Sequence, residues 1–183
     1  MPANQIPGAA TGESGLSRFS LAAAILPLVI IHELTRQECL DVLQRAHVGR
    51  LACARHAQPY IVPISYYFDS FDTCLYSFST VGQKIHWMRD NPKVSVEVDE
   101  VVDRFTWTSV VLSGLYEELR DVNDAARAKA RALKLLQERS EWWLPGIARL
   151  ATGSEHDTPV VYRIQIVTVS GRRAARPSRE ALS

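Results

Sequence analysis

A chain of 183 residues, 46% hydrophobic and 22% charged, is long enough for one domain with a proper core and short for two. Its formal net charge of +1 excludes a global field drawing it to nucleic acid or an anionic membrane, so any bound anion must be held by local geometry. Cys39, Cys53 and Cys74 are odd in number and lack metal-ligand spacing, which excludes a disulfide framework and reads as reduced thiols in a cytoplasmic protein.

Residues 1–33 read as a flexible tail. The first part is rich in Gly, Ala, Ser and Pro. The apolar run at 21–31 falls short of the about 20 residues that a membrane span requires. No small-residue cleavage site follows it, so it reads as a tail, or as a segment packing on the domain or a partner, rather than a signal peptide. The domain is expected over 34–170. Thr35 and Glu38 form a capping box, and the apolar spacing predicts an amphipathic helix over 35–46. Strands are predicted at 48–54 and 60–68, joined by a polar turn, and a third at 74–78. A short helix over about 81–90 is closed by Asn91 and Pro92. Val94, Val96 and Val98 alternate with polar residues as a strand with one buried face, and 106–119 forms another. Residues 123–140 read as a helix with a basic outer face. The last strand, 160–169, places Tyr162, Ile164 and Ile166 on one face, and the Arg-rich residues 171–183 read as a solvated tail. Six mostly antiparallel strands with helices between them predict a small α+β barrel.

The stretch LYSFSTVGQKIHWMRDNP carries the strongest chemical signal. Thr80 and Gln83 fit a capping box, and the first-turn amides lie at the positive end of the helix dipole. With Ser79, Thr80, Gly82 and Lys84 they compose a local anion site suited to a phosphate monoester. The plain alternative is a capped helix whose lysine faces solvent. Pro63 interrupts the strand 60–68, which belongs at an edge or bulge, where unpaired backbone groups can meet a flat heterocycle; the alternative is an ordinary edge strand. The five histidines are scattered and make no metal site, and neither a nucleophile elbow nor a Walker loop is present. Trp142 and Trp143 are read as packing under a loop or as covering a ligand pocket or a partner.

Read in order, VGRLACA, PYIVPISYYF, LYSFSTVGQKIHWMRDNPKVSVEVDE and SVVLSGLYEEL resemble the pyridoxamine-5′-phosphate-oxidase-like FMN-binding split barrels, in the branch with the nitroimidazole-resistance-type proteins. The resemblance covers about residues 35–169. It implies an FMN-dependent homodimer acting on a small organic molecule, with the flavin at the interface. Val62, Pro63, Ile64 and Ser65 would line the ring through their backbone, with Ser77 and Phe78 at the end of the next strand. Gln83 and Lys84 match the basic pair on the phosphate, with Ser79 and Thr80 nearby; Gln83 departs from that pair. Trp107 and Ser109 would complete the site from the second protomer. The substrate motif of vitamin B6 oxidation is missing from the C-terminal part, so that reaction is not expected. No catalytic residue is assigned, and Tyr66, Tyr67 and Tyr76 are the candidate proton donors. The alternatives are a flavin-binding module without turnover, or a barrel that takes F420 or haem.

Overall fold

The computed structural model describes residues 29–121, 123–138 and 159–177. In chain order the elements are β1 (Ile30–Glu33), α1 (Arg36–Arg45), β2 (Val48–Arg55), β3 (Gln58–Ser65), β4 (Tyr67–Asp69), β5 (Cys74–Ser79), α2 (Gln83–Asp90), β6 (Lys93–Asp103), β7 (Thr106–Glu118), α3 (Asn123–Glu138) and β8 (Val160–Ala175). All strand pairs are antiparallel and form one eight-stranded sheet in the order β3-β2-β6-β7-β8-β5-β4, with β1 added to β8. This is the α+β architecture that the sequence predicts.

Local chemistry explains the elements read correctly. At α1, the Thr35 hydroxyl accepts from the Glu38 amide and the Glu38 carboxylate accepts from the Thr35 amide, closing the capping box. The β2–β3 hairpin turns at His56 and Ala57, both with positive φ (49° and 62°), a twist that matches the flanking strands. Val94, Val96 and Val98 point into the core, joined there by Val110, Leu112, Tyr162 and Ile164. A second cluster of Cys74, Tyr76, Leu119, Leu136 and Val161 lies under α3. There Arg131 clamps the buried Asp69 through two hydrogen bonds.

The structure departs from the expected strands in three places. The run 60–68 is not one strand: β3 ends at Ser65 and β4 begins at Tyr67. Across the bend, the Tyr66 amide donates to the His47 carbonyl at 3.1 Å, and the Ser77 hydroxyl donates to the Ser65 carbonyl at 2.7 Å. One apolar segment thus starts paired with β2 and finishes paired with β5, curling the two ends of the sheet toward each other. The last strand runs to Ala175, so Gly171–Ala175 are sheet rather than solvated tail. Its extension pairs with β1, whose residues were expected in the N-terminal tail.

Gly114 sits at the register shift where β7 meets β8. A Cβ there would come within 2.6 Å of Ile164 Cγ2 and 2.7 Å of the Gln165 carbonyl oxygen, and the backbone oxygen has no room to retreat. Gly114→Ala is expected to lower stability by about 1–3 kcal/mol, the usual cost of overpacking, as a lower denaturant midpoint with an unchanged slope. An unchanged midpoint would mean that the two strands separate without cost.

Candidate functional site

The site is built where β3, β5 and the start of α2 meet. β3 pairs only with β2 among the described residues, so its other edge runs free, as Pro59 and Pro63 require of it. Strand alternation buries Ile64, half-buries Val62 and leaves Pro63 exposed, with Ser65 half-buried at the strand's end. Tyr60 of β3 packs tilted against Trp87 of α2, 5.5 Å between ring centres, tying the helix to that strand.

α2 starts differently from the expected capping box. Its N-cap is Gly82, not Thr80, and no side chain caps it. Thr80 is exposed, and the Ser79 hydroxyl donates to the Thr80 carbonyl, which ties the loop to itself rather than to the helix. The first turn holds no acidic residue, so its amides and the positive dipole end carry no local compensation. Beyond Gly82 lies open space, with nothing within 4 Å of where a Cβ would stand.

Lys84 in that first turn is half-buried, within electrostatic range of Cys53 of β2. Desolvation holds its ammonium below the usual lysine value, while Cys53 acts in the opposite direction. Burial in turn pushes the Cys53 thiol up against the pull of Lys84. Among the described residues Lys84 makes no hydrogen bond or ion pair. Arg45, Arg50, Arg55, Arg89, Lys129, Arg131 and Arg163, by contrast, each bind a carboxylate. A partly desolvated cation without a counter-charge is costly.

The remaining expected site residues separate. Gln83 is exposed next to Lys84, adding an amide but no charge. Ser77 is buried with its hydroxyl given to Ser65, so it holds the bend of β3 and has no free proton for a ligand. Phe78 faces the other way, onto the cluster beneath α3. Trp107 and Ser109 lie on β7, in a groove of about 530 Å³ also lined by Leu34, Val169 and Arg172, which no residue of 62–84 reaches. One chain therefore does not bring these two groups of residues together. Trp142 and Trp143 lie outside the described residues.

The candidate proton donors are otherwise engaged. The Tyr66 hydroxyl donates to the Leu43 carbonyl, the Tyr76 hydroxyl donates to Asp72, and Tyr67 packs against the cluster under α3. Sequence reasoning treated Tyr162 only as a core position. Its phenol is fully buried, cross-strand from Ser77, and burial pushes it up to about 12. No signal in the sequence distinguishes such a tyrosine from an ordinary core one.

The model of the family described as pyridoxamine 5′-phosphate oxidase matches residues 35–173. An uncharacterized protein of Rhizobium meliloti (strain 1021) is 42% identical over 118 residues, or 64% of this chain and 77% of that protein. Among solved structures, a FAD-binding protein of Mesorhizobium loti is 41% identical, covering 80% of this chain and 98% of that one, with a TM-score of 0.65. A proposed 5-nitroimidazole antibiotic resistance protein of Bacteroides thetaiotaomicron is 17% identical, with a TM-score of 0.56 over 80% of this chain and 92% of that one, a likeness of fold alone.

Because the folded protein holds Lys84 below its usual value, the unfolded chain keeps a proton that the folded chain releases earlier. Stability therefore rises with pH between the folded and ordinary values, and below that window the charged lysine is carried at full cost. At neutral pH, Lys84→Met is expected to raise the thermal midpoint of the ligand-free protein and flatten this alkaline rise. Inorganic phosphate should stabilise the wild type and leave the variant unmoved. A lower midpoint for Lys84→Met would mean that the ammonium already has a stabilising partner.

Proposed function

Since this chain belongs to the pyridoxamine 5′-phosphate oxidase family, we propose that it is an FMN-binding oxidoreductase acting on a small organic substrate. The observation that carries the reading is Lys84, a half-buried ammonium without a counter-charge at an uncapped helix start. A flavin's terminal phosphate supplies the missing charge, accepts hydrogen bonds from first-turn amides and uses the space beyond Gly82. The free edge of β3 lies alongside and offers unpaired backbone groups to the polar rim of the ring. Bound flavin supplies hydride or electron transfer. The chain's own part is to hold the phosphate, to orient the ring through β3 and to exclude water with Tyr60 and Trp87.

The family's vitamin B6 chemistry is not part of this proposal. FAD is the second reading for the cofactor, favoured by the FAD-binding relative from Mesorhizobium loti. Haem is disfavoured by the described histidines, since His32, His47, His56 and His86 are all exposed.

A homodimer is part of the proposal. The outer sheet face exposes Val111 (44%), Leu115 (44%) and Val167 (58%) beside a second groove lined by Ala52, Pro59 and Ser113. A second copy covering that face would bury these side chains.

Titration with FMN tests the site. Lys84→Ala is expected to weaken binding by about 1.5–3 kcal/mol, the range of a charge-assisted hydrogen bond. Gly82→Val fills the approach to the helix start and should weaken FMN, with a loss of unfolding free energy of about 1 kcal/mol, as for a poor N-cap. Wild-type FMN affinity in Lys84→Ala would remove the phosphate assignment. FAD binding far more tightly than FMN would favour the dinucleotide.

A further inference from the structure

We propose that Arg131 is a positioning residue for the anion site at Lys84: by clamping Asp69 it holds α3 against Phe78, and Phe78 fixes the loop from which α2 starts. The inference rests on the phosphate reading above and adds to it a contact on another element.

Arg131 donates from Nε and Nη2 to the two carboxylate oxygens of Asp69, at 2.8 and 3.1 Å. The Asp69 side chain is 5% exposed, whereas that of Glu118, the next most buried carboxylate among the described pairs, is 18% exposed. A carboxylate so placed loses its cation only at high cost, and without Arg131 it is rehydrated by α3 lifting away from it. Phe71 stands over the guanidinium, 5.4 Å from its carbon to the ring centre, and the Phe71 amide donates to the same Asp69. The clamp thus joins α3 to the turn between β4 and β5.

The apolar grip on the helix is modest. Ala132 and Leu136 are buried, but Ala125, Ala126 and Ala128 are only half-buried and Leu133 is exposed. An alanine removes far less apolar surface from water than a leucine, so the ion pair carries much of the docking.

Phe78 links this helix to the site. It lies opposite Val161 in the β5–β8 pairing and packs, like Ala128 and Leu135, on the cluster under α3. The ladder ends one residue later at Ser79, and Gly82 is already the N-cap of α2. The loop between them is therefore placed by its anchors, Phe78 under α3 and Val81 on the main core. Val81 and Lys129 of α3 also line one groove of about 270 Å³, so loop and helix stand as neighbouring walls. Releasing α3 frees one anchor and spares the other, which loosens the anion site without abolishing it. β3 is held separately, by Ser77 and by the contact of Tyr60 with Trp87, so the ring's side of the site does not depend on the clamp.

The test measures FMN and riboflavin affinity and amide hydrogen exchange for the wild type, Arg131→Gln, Asp69→Asn, their double variant and Lys84→Ala. Arg131→Gln should weaken FMN about fivefold or more, the lower end of coupling between sites, with riboflavin affinity unchanged. It should speed exchange at residues 80–84 and 125–138 and leave β6 and β7 protected, the pattern of a local opening. Asp69→Asn should act in the same direction, and the double variant should bind FMN no more weakly than the weaker single one, because one contact is being removed. In the wild type, bound FMN should slow exchange along α3, the reciprocal of the same coupling, and this arm does not depend on how the variants fold. Wild-type FMN affinity in Arg131→Gln overturns the proposal. So does equal weakening of FMN and riboflavin, which would make the clamp a support of the whole fold, or a wild-type α3 whose exchange bound FMN leaves unchanged. A wild type that takes up no FMN, or an FMN affinity unmoved in Lys84→Ala, removes the phosphate reading and this inference with it. Weakened Lys84→Ala beside an unaffected Arg131→Gln leaves that reading standing and defeats only the part given to Arg131.

Discussion

The fold depends on the pairing of β8. From Val160 to Ala175 this strand carries β7 along one edge and shares the other between β5 and β1. Its inward residues Tyr162, Ile164 and Ile166 fill the barrel, while Val161 serves the cluster under α3. Because β5 hangs on the first part of β8, the loop after Ser79 and the start of α2 are delivered to a fixed place. The bend between β3 and β4 does the rest, since Ser77 of β5 holds the Ser65 carbonyl. The helix start that bears Lys84 and the free edge of β3 are thereby neighbours.

That arrangement leaves a deliberate imbalance. α1 satisfies its first turn with Thr35 and Glu38, whereas α2 has no cap, no acidic residue in its first turn and a lysine drawn inward. Several cations elsewhere are paired, with Arg45, Arg89 and Arg131 in two-pronged contacts to carboxylates. At α2 a partly desolvated positive charge thus stands at an uncapped helix start. An anion bound there lowers the cost of the fold as it binds, coupling ligand affinity to stability.

Legibility in the sequence follows the range of the interactions involved. α1 could be read to its cap because both capping partners lie within one turn. The β2–β3 hairpin and the valines of β6 announce themselves by turn residues and alternation. The bend at Tyr66 could not be read, because the apolar pattern runs through it and its cause is two contacts distant in sequence, from His47 and Ser77. β1 and the end of β8 were missed because they pair through the backbone, and β1 exposes all its side chains. At the site, Lys84 and the edge position of β3 were legible from local signals. Thr80 misled because capping rules assume that a helix start is satisfied locally, and this one is not. Phe78 and Ser77 divided between the two faces of β5 once alternation was placed in three dimensions. The unpaired state of Lys84 could only be seen once its half-buried place in the fold was known.

The most direct test of the central claim is the visible absorption spectrum of the freshly purified protein, with the released chromophore identified against FMN and FAD. The account predicts the two-banded spectrum of an oxidised flavin and FMN in the supernatant. A colourless protein that takes up neither flavin when it is added would contradict the account.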